Sequence, residues 1–146
     1  MLKKSFILIV TIFIISCTGQ KSLSKNDVVI IMDGFFEKVK QNDYNLVDPY
    51  YSETIFETTS REEWKEIYNK IHFVLGELIS TELESWNIRT MLGTSGSGKY
   101  YTFVYNNKYE NGIAKETINL FLPKSSNEVK IIGHNYASEA FLGLLK

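Results

Sequence analysis

Few side chains in this sequence are equipped for chemistry. Cys17 is the only cysteine, and His72 and His134 are the only histidines. Thiol chemistry therefore has one address. The histidines show no H-E-x-x-H or Cys/His spacing, so no metal and no cofactor is expected. In "GTSGSGKYY", Gly93, Gly98 and Lys99 fall in the G-x-x-x-x-G-K spacing of a phosphate loop. Such a loop needs Ser or Thr next, for Mg²⁺, and then a helix whose first amides face the phosphate. Tyr100 follows instead, at the head of an aromatic run with strand character. The expected reading is a glycine–serine connection between two strands. His72 reads as a partly exposed helical residue, and His134 as a strand residue facing either core or pocket. No serine, histidine and acid stand out as a triad, so no catalytic residue is assigned.

The surroundings of Cys17 are more informative. The chain opens MLKKSFILIVTIFIISC, in which Lys3 and Lys4 precede an uncharged run from Phe6 to Ile15 broken only by Thr11. A cationic start and an apolar stretch of about 7–15 residues mark a secretory signal. A spanning helix needs about 20 apolar residues, and this run is shorter. Ile14-Ile15-Ser16-Cys17 resembles the bacterial lipobox: an aliphatic residue three places before the cysteine and a small one directly before it. That resemblance implies cleavage before Cys17, diacylglycerol on its sulfur and a fatty acyl group, typically palmitate, on the new amino terminus. Two or more chains hold a protein at a membrane where one is marginal, since each buried CH₂ contributes about 0.8 kcal/mol. The implied boundaries are a leader over 1–16, a lipidated tether over 17–26 and a folded domain over 27–146. The implied location is the extracytoplasmic side of an envelope membrane.

Loss of the leader leaves 130 of the 146 residues, and loss of Lys3 and Lys4 takes the formal net charge from −1 to −3. That length supports one domain with a hydrophobic core. A mildly acidic domain lacks the basic face that nucleic acid demands. With the only thiol committed to lipid, an internal disulfide is excluded.

The elements follow from periodicity. Val28, Ile31, Met32, Phe35 and Val39 recur at helical spacing from Asp27 to about Gln41, with Ser24 or Asn26 available as cap. Gly34 in the middle of that helix costs about 1 kcal/mol against Ala, so a close neighbour is expected there. Tyr44–Tyr51 reads as a short helix limited by Pro49. Ser60 and Glu63 form a capping box ahead of Trp64, Ile67, Tyr68, Ile71, Val74 and Leu75, and Gly76 stands at a left-handed stop. The period then drops to two. Strands are expected over Leu78–Met91, Lys99–Glu110, Ile113–Leu122 and Val129–Tyr136, with Asn111-Gly112 as a hairpin turn. A small closing helix is expected over Ser138–Leu145. Helices followed by a meander give an α+β fold: N-terminal helices on a curved antiparallel sheet of about four strands.

This order, carried by "IMDGFFEKVKQNDYNLVDPYYS", "SREEWKEIYNKIHFVLGE" and strands ending in "VKIIGHNY", resembles the nuclear-transport-factor-2-like (cystatin-like) superfamily. It implies a cone, a sheet wrapped around helices with a pocket at the open end. The superfamily includes enzymes, small-ligand binders and interaction modules, so the fold does not settle the function. Its acid–base enzymes use a carboxylate and tyrosine hydroxyls inside the pocket. The matching pocket residues here are Tyr101, Tyr105, Glu116, His134 and Tyr136. The plainer alternative has the tyrosines packing a half-buried sheet with hydroxyls in water, Glu116 pairing across the hairpin with a lysine, and Glu82 and Glu84 on a solvated face. The leading expectation is a non-catalytic lipoprotein binding a protein partner or a small apolar ligand. The alternatives are an isomerase- or hydratase-type pocket enzyme and a homodimer formed through the open sheet face.

Overall fold

The computed structural model describes residues 23–93 and 96–145, with 143–145 as backbone only. Cys17, the expected leader and the first part of the expected tether lie outside the described residues. Helix α1 spans Lys25–Val39. Ser24 caps it: its hydroxyl accepts from the Asp27 N–H at 3.3 Å, and the Asp27 carboxylate accepts from the Ser24 N–H at 2.8 Å. This reciprocal box satisfies two end-of-helix donors and starts the helix two residues before the apolar periodicity does. Val28, Met32, Phe35, Phe36 and Val39 are its buried face. A Cβ at Gly34 would meet the Tyr50 hydroxyl at 3.3 Å, the close neighbour its position calls for.

Helix α2 is a single turn, Tyr44–Val47, followed by a 3-10 turn at Asp48–Tyr50 that carries Pro49. The expected Tyr44–Tyr51 helix is shortened because proline removes a donor and disfavours a helical residue before it. A second 3-10 segment, Glu53–Glu57, leads to α3, Arg61–Leu75. Ser60 and Glu63 form the expected capping box. Gly76 ends α3 at φ 75°, ψ −160°, a positive-φ conformation outside the left-handed helical region that only glycine enters easily.

Four antiparallel strands follow, β1 (Leu78–Met91), β2 (Gly98–Tyr109), β3 (Gly112–Pro123) and β4 (Lys130–Ala137), in the spatial order β1-β2-β3-β4. Asn111 and Gly112 turn β2 into β3 as expected, and residues 92–97 join β1 to β2. A 3-10 segment over Glu139–Leu145 stands in place of the expected closing helix. The result is α+β, with three helices ahead of a curved open sheet. The core lies between the helices and one sheet face, where Tyr101, Phe103, Tyr105 and Tyr109 of β2 meet Ala114, Ile118, Leu120 and Leu122 of β3. Among the described residues no helix is long and apolar enough to cross a membrane.

Three irregularities decide which side chains face inward, the first at Ile79, where the register of β1 with β2 shifts between Leu78 and Ser80. In β1 the register with β2 shifts between Leu83 and Ser85, so Glu84 is the extra residue. In β4 the register with β3 passes from Leu120–Ile131 to Asn119–Gly133, making Ile132 the extra residue. A bulge of this kind re-aims everything after it. Val129 and Ile131 face the core, and strict alternation would send Gly133 inward and His134 out. The bulge inverts this, and His134 is buried.

Candidate functional site

Glu116 sits in β3 between Ala114 and Ile118, on the inward face, and has no exposed surface. Burying a carboxylate is costly unless it is hydrogen-bonded. Here the Asn107 amide donates to Oε1 at 2.7 Å and the Tyr109 hydroxyl donates to the same oxygen at 2.6 Å. The Nε2 of His134 lies 2.9 Å from Oε2, and its Nδ1 lies 2.9 Å from the Tyr51 hydroxyl. With a carboxylate at 116, His134 Nε2–H donates and Nδ1 accepts from Tyr51, so each group in the chain has its partner. The expected hairpin pairing of Glu116 with a lysine does not occur: Lys115, one residue away and on the opposite face, pairs with Glu84 at 2.9 Å instead.

Separate elements deliver these groups. Asn107 and Tyr109 alternate with outward residues on β2, stand opposite Ala114 and Gly112, and reach diagonally to Glu116 on the same face. His134 and Tyr136 come from β4, opposite Ile118 and Glu116. Tyr51 arrives from the loop after α2, pinned by a bridge to Ile131 and by the Ser52 N–H donating to the Ile131 carbonyl at 2.8 Å. Tyr136 stacks on His134 with ring centroids 4.3 Å apart. From α3, His72 packs 4.2 Å from the Tyr68 ring and 5.7 Å from the Tyr109 ring.

His72 is therefore buried, not the partly exposed residue that its helical position implies. Burial lowers its pKa to about 4, with His134 opposing and Glu116 favouring its charge. The hydroxyls of Tyr51, Tyr109 and Tyr136 are pushed well above the usual tyrosine value, chiefly by burial, with the Glu116 charge adding to it and, for Tyr51, Tyr68 ahead of Glu116. Tyr51 and Tyr109 serve here as hydrogen-bond donors, to His134 and Glu116. Among the described residues the Tyr68 and Tyr136 hydroxyls, His72 Nε2 and Asn107 Oδ1 have no hydrogen-bond partner.

Of the five pocket residues expected from the sequence, Glu116, His134 and Tyr136 come together. Tyr105 stands directly opposite Glu116 in the β2–β3 ladder but makes no hydrogen bond to it, and Tyr101 lies four residues further along the same face, opposite Leu120. The Tyr101 hydroxyl donates to the Leu23 carbonyl at 3.0 Å, and Tyr105 packs edge-on against Phe36 at 4.8 Å. Both are buried, so the expectation of tyrosine hydroxyls in water fails for them. Glu82 and Glu84 are exposed, as a solvated face requires. Tyr51, His72, Asn107 and Tyr109 escape a reading by residue type alone. Asn107 and Tyr109 carry a usable signal, since they continue the period-two series of Tyr101, Phe103 and Tyr105.

Above this network, between α3 and β4, lies an open cleft of about 300 Å³. Trp64, Ile67 and Ile71 form one wall and Tyr136 and Phe141 the other, with Lys70 and Asn135 also at the cleft and His134 at its base. Its chemistry is apolar with one cation nearby. Among the described residues no group of three His, Cys, Asp or Glu side chains is placed to hold a metal ion. Comparison with protein-family models, with curated proteins and with solved structures gives no match to this chain.

Proposed function

We propose that this chain is the precursor of a bacterial envelope lipoprotein: residues 1–16 are removed, Cys17 carries the lipid, and a cone-like domain of the nuclear-transport-factor-2-like kind acts beside the membrane as a binding module. The lipobox resemblance and the short apolar leader support the anchor, and the helices packed on a curved sheet support the domain type. The cleft between α3 and β4 takes a small apolar ligand or an apolar side chain of a protein partner.

One observation carries the non-catalytic reading. Both oxygens of Glu116 are engaged by Asn107, Tyr109 and His134, and the carboxylate is sealed inside the core. A general acid or base must reach its substrate, whereas the surface above offers apolar walls. At about 300 Å³ the cleft stands at the small end of ligand sites. The test uses Trp86→Phe protein, so that Trp64 alone reports, titrated with anilinonaphthalene sulfonate. Saturable quenching of Trp64, lost in Ile67→Glu, is the expected result. Absence of saturable quenching, or quenching that Ile67→Glu leaves intact, removes the cleft from the account.

A second reading, an acid–base enzyme, is favoured by the Tyr51–His134–Glu116 chain and the unpartnered Tyr136 hydroxyl beside it. It requires Tyr136 to swing out, and it predicts that Tyr136→Phe abolishes turnover of an enolisable or dehydratable substrate without loss of stability.

A further inference from the structure

The tether is short, and the fold fixes where it leaves the domain. The Leu23 carbonyl accepts from Tyr101, and Lys25 lies over the Trp86 ring at 5.1 Å. The chain therefore emerges beside Trp86, on the half of the sheet that leads to the β1–β2 connection. Beyond Trp86 the strand runs to Met91 and Leu92, exposed at 54% and 82%, while Trp86 itself is 48% exposed. From Leu23 back to Cys17 is six residues, about 22 Å at full extension. From Trp86 to Met91 is about 17 Å along a strand. A lipid on Cys17 thus holds the bilayer surface within reach of that tip.

Apolar side chains are exposed at the opposite end too, at Phe73, Ile79 and Ile113. Charge separates the two ends. At the far end, where the β2–β3 turn meets the end of α3, Glu77 and Glu110 offset Lys108, opposite Ile113, and Lys70, near Phe73. At the tether end the ladders bring Arg89 opposite Tyr100 and Thr90 opposite Lys99, while the Lys124 N–H donates to the Ser97 carbonyl. Lys25 joins them, and Asp27 and Glu128 are the acids nearby. Basic residues around exposed Trp, Met and Leu suit an anionic headgroup layer: the cations meet phosphate, and the aromatic ring sits at the interface.

We infer that the β1–β2 end, through Trp86, Met91 and Leu92 with Arg89 and Lys124 beside them, rests on an anionic lipid bilayer and holds the α3/β4 cleft in a fixed orientation to it. The inference rests on the anchor proposed at Cys17.

The experiment uses the lipidated protein in phosphatidylcholine–phosphatidylglycerol vesicles that carry a nitroxide at the top of the acyl chain. With Cys17 in thioether linkage, an introduced cysteine is the only free thiol. A fluorophore is placed on Leu92→Cys or, at the far end, on Phe73→Cys. The expected result is strong quenching at 92 and little at 73. The Arg89→Glu/Lys124→Glu pair reduces the quenching at 92, by roughly fivefold per residue in contact population. Equal quenching at both sites in protein that co-floats with the vesicles overturns the orientation and leaves the anchor standing. Disulfide-linked dimers formed through Leu92→Cys assign the tip to a second copy of the chain and overturn it too. Failure to co-float removes the anchor and the orientation together.

Discussion

Glu116 owes its place to three neighbours, and each is separable by mutation. Glu116→Ala leaves Asn107, Tyr109 and His134 without their shared acceptor, and each buried donor left unsatisfied costs about 1–3 kcal/mol. Glu116→Gln keeps the volume and an oxygen for Asn107 and Tyr109 but sets its NH2 against the His134 Nε2–H, a loss of about 1–3 kcal/mol. Denaturant melts of the two variants measure both. Stabilisation by Glu116→Gln would mark a carboxylate held at the expense of the fold, as active sites are, and would move the account toward the enzyme reading. His72 predicts a pH dependence with a definite sign. Its pKa falls from an ordinary 6.5 to about 4 on folding. The unfolded chain therefore binds a proton between those values that the native state refuses. Stability is intact above pH 6.5 and declines as pH falls toward 4, by roughly 3 kcal/mol for a depression of this size. His72→Phe, which keeps the ring packing on Tyr68 and Tyr109, should flatten that limb of a stability-against-pH curve. An unchanged slope would place the titration elsewhere.

At the scale of elements, the β1–β2 connection closes against β3 only because residue 98 lacks a side chain. A Cβ there would collide with the Leu122 carbonyl and the Phe121 ring. Gly98→Ala should therefore destabilise by about 1–3 kcal/mol, the scale of overpacking, and a neutral thermal melt would contradict the register. Ser60→Ala should cost about 1 kcal/mol through loss of the α3 cap. Elements of this kind are legible in the sequence because their causes are local. Ser60 and Glu63 announce α3, Asn111-Gly112 announces the hairpin, and the alternating aromatics announce β2. The inward face of Glu116 follows from its phase with Ala114 and Ile118. His134 is different, because the extra residue at Ile132 inverts the phase of β4 and leaves no mark in composition. Tyr51 reaches His134 only through a bridge to Ile131, far away in sequence, which local periodicity does not contain. His72 looks peripheral on a helical wheel and is buried because Tyr68, Tyr109 and Tyr136 close around it.

For the whole molecule, tyrosine and phenylalanine side chains from α1, α3 and β2 fill much of the described core. The proposed binding role would then fall to the α3/β4 cleft and to the end of the sheet beside Leu23. With the proposed lipid on Cys17, two or three acyl chains would make detachment rare and confine the cleft to a thin layer beside the bilayer. Replacing Cys17 with Ser should shift the protein from the membrane pellet to the soluble fraction, and retention in the pellet would show a different anchor. The most direct measurement is the mass of the amino-terminal peptide of the mature protein isolated from its own membranes. The account predicts a chain beginning at residue 17, heavier by a diacylglycerol on sulfur and, with full processing, by an amide-linked acyl group. An unmodified Cys17, or a leader still attached, would contradict it.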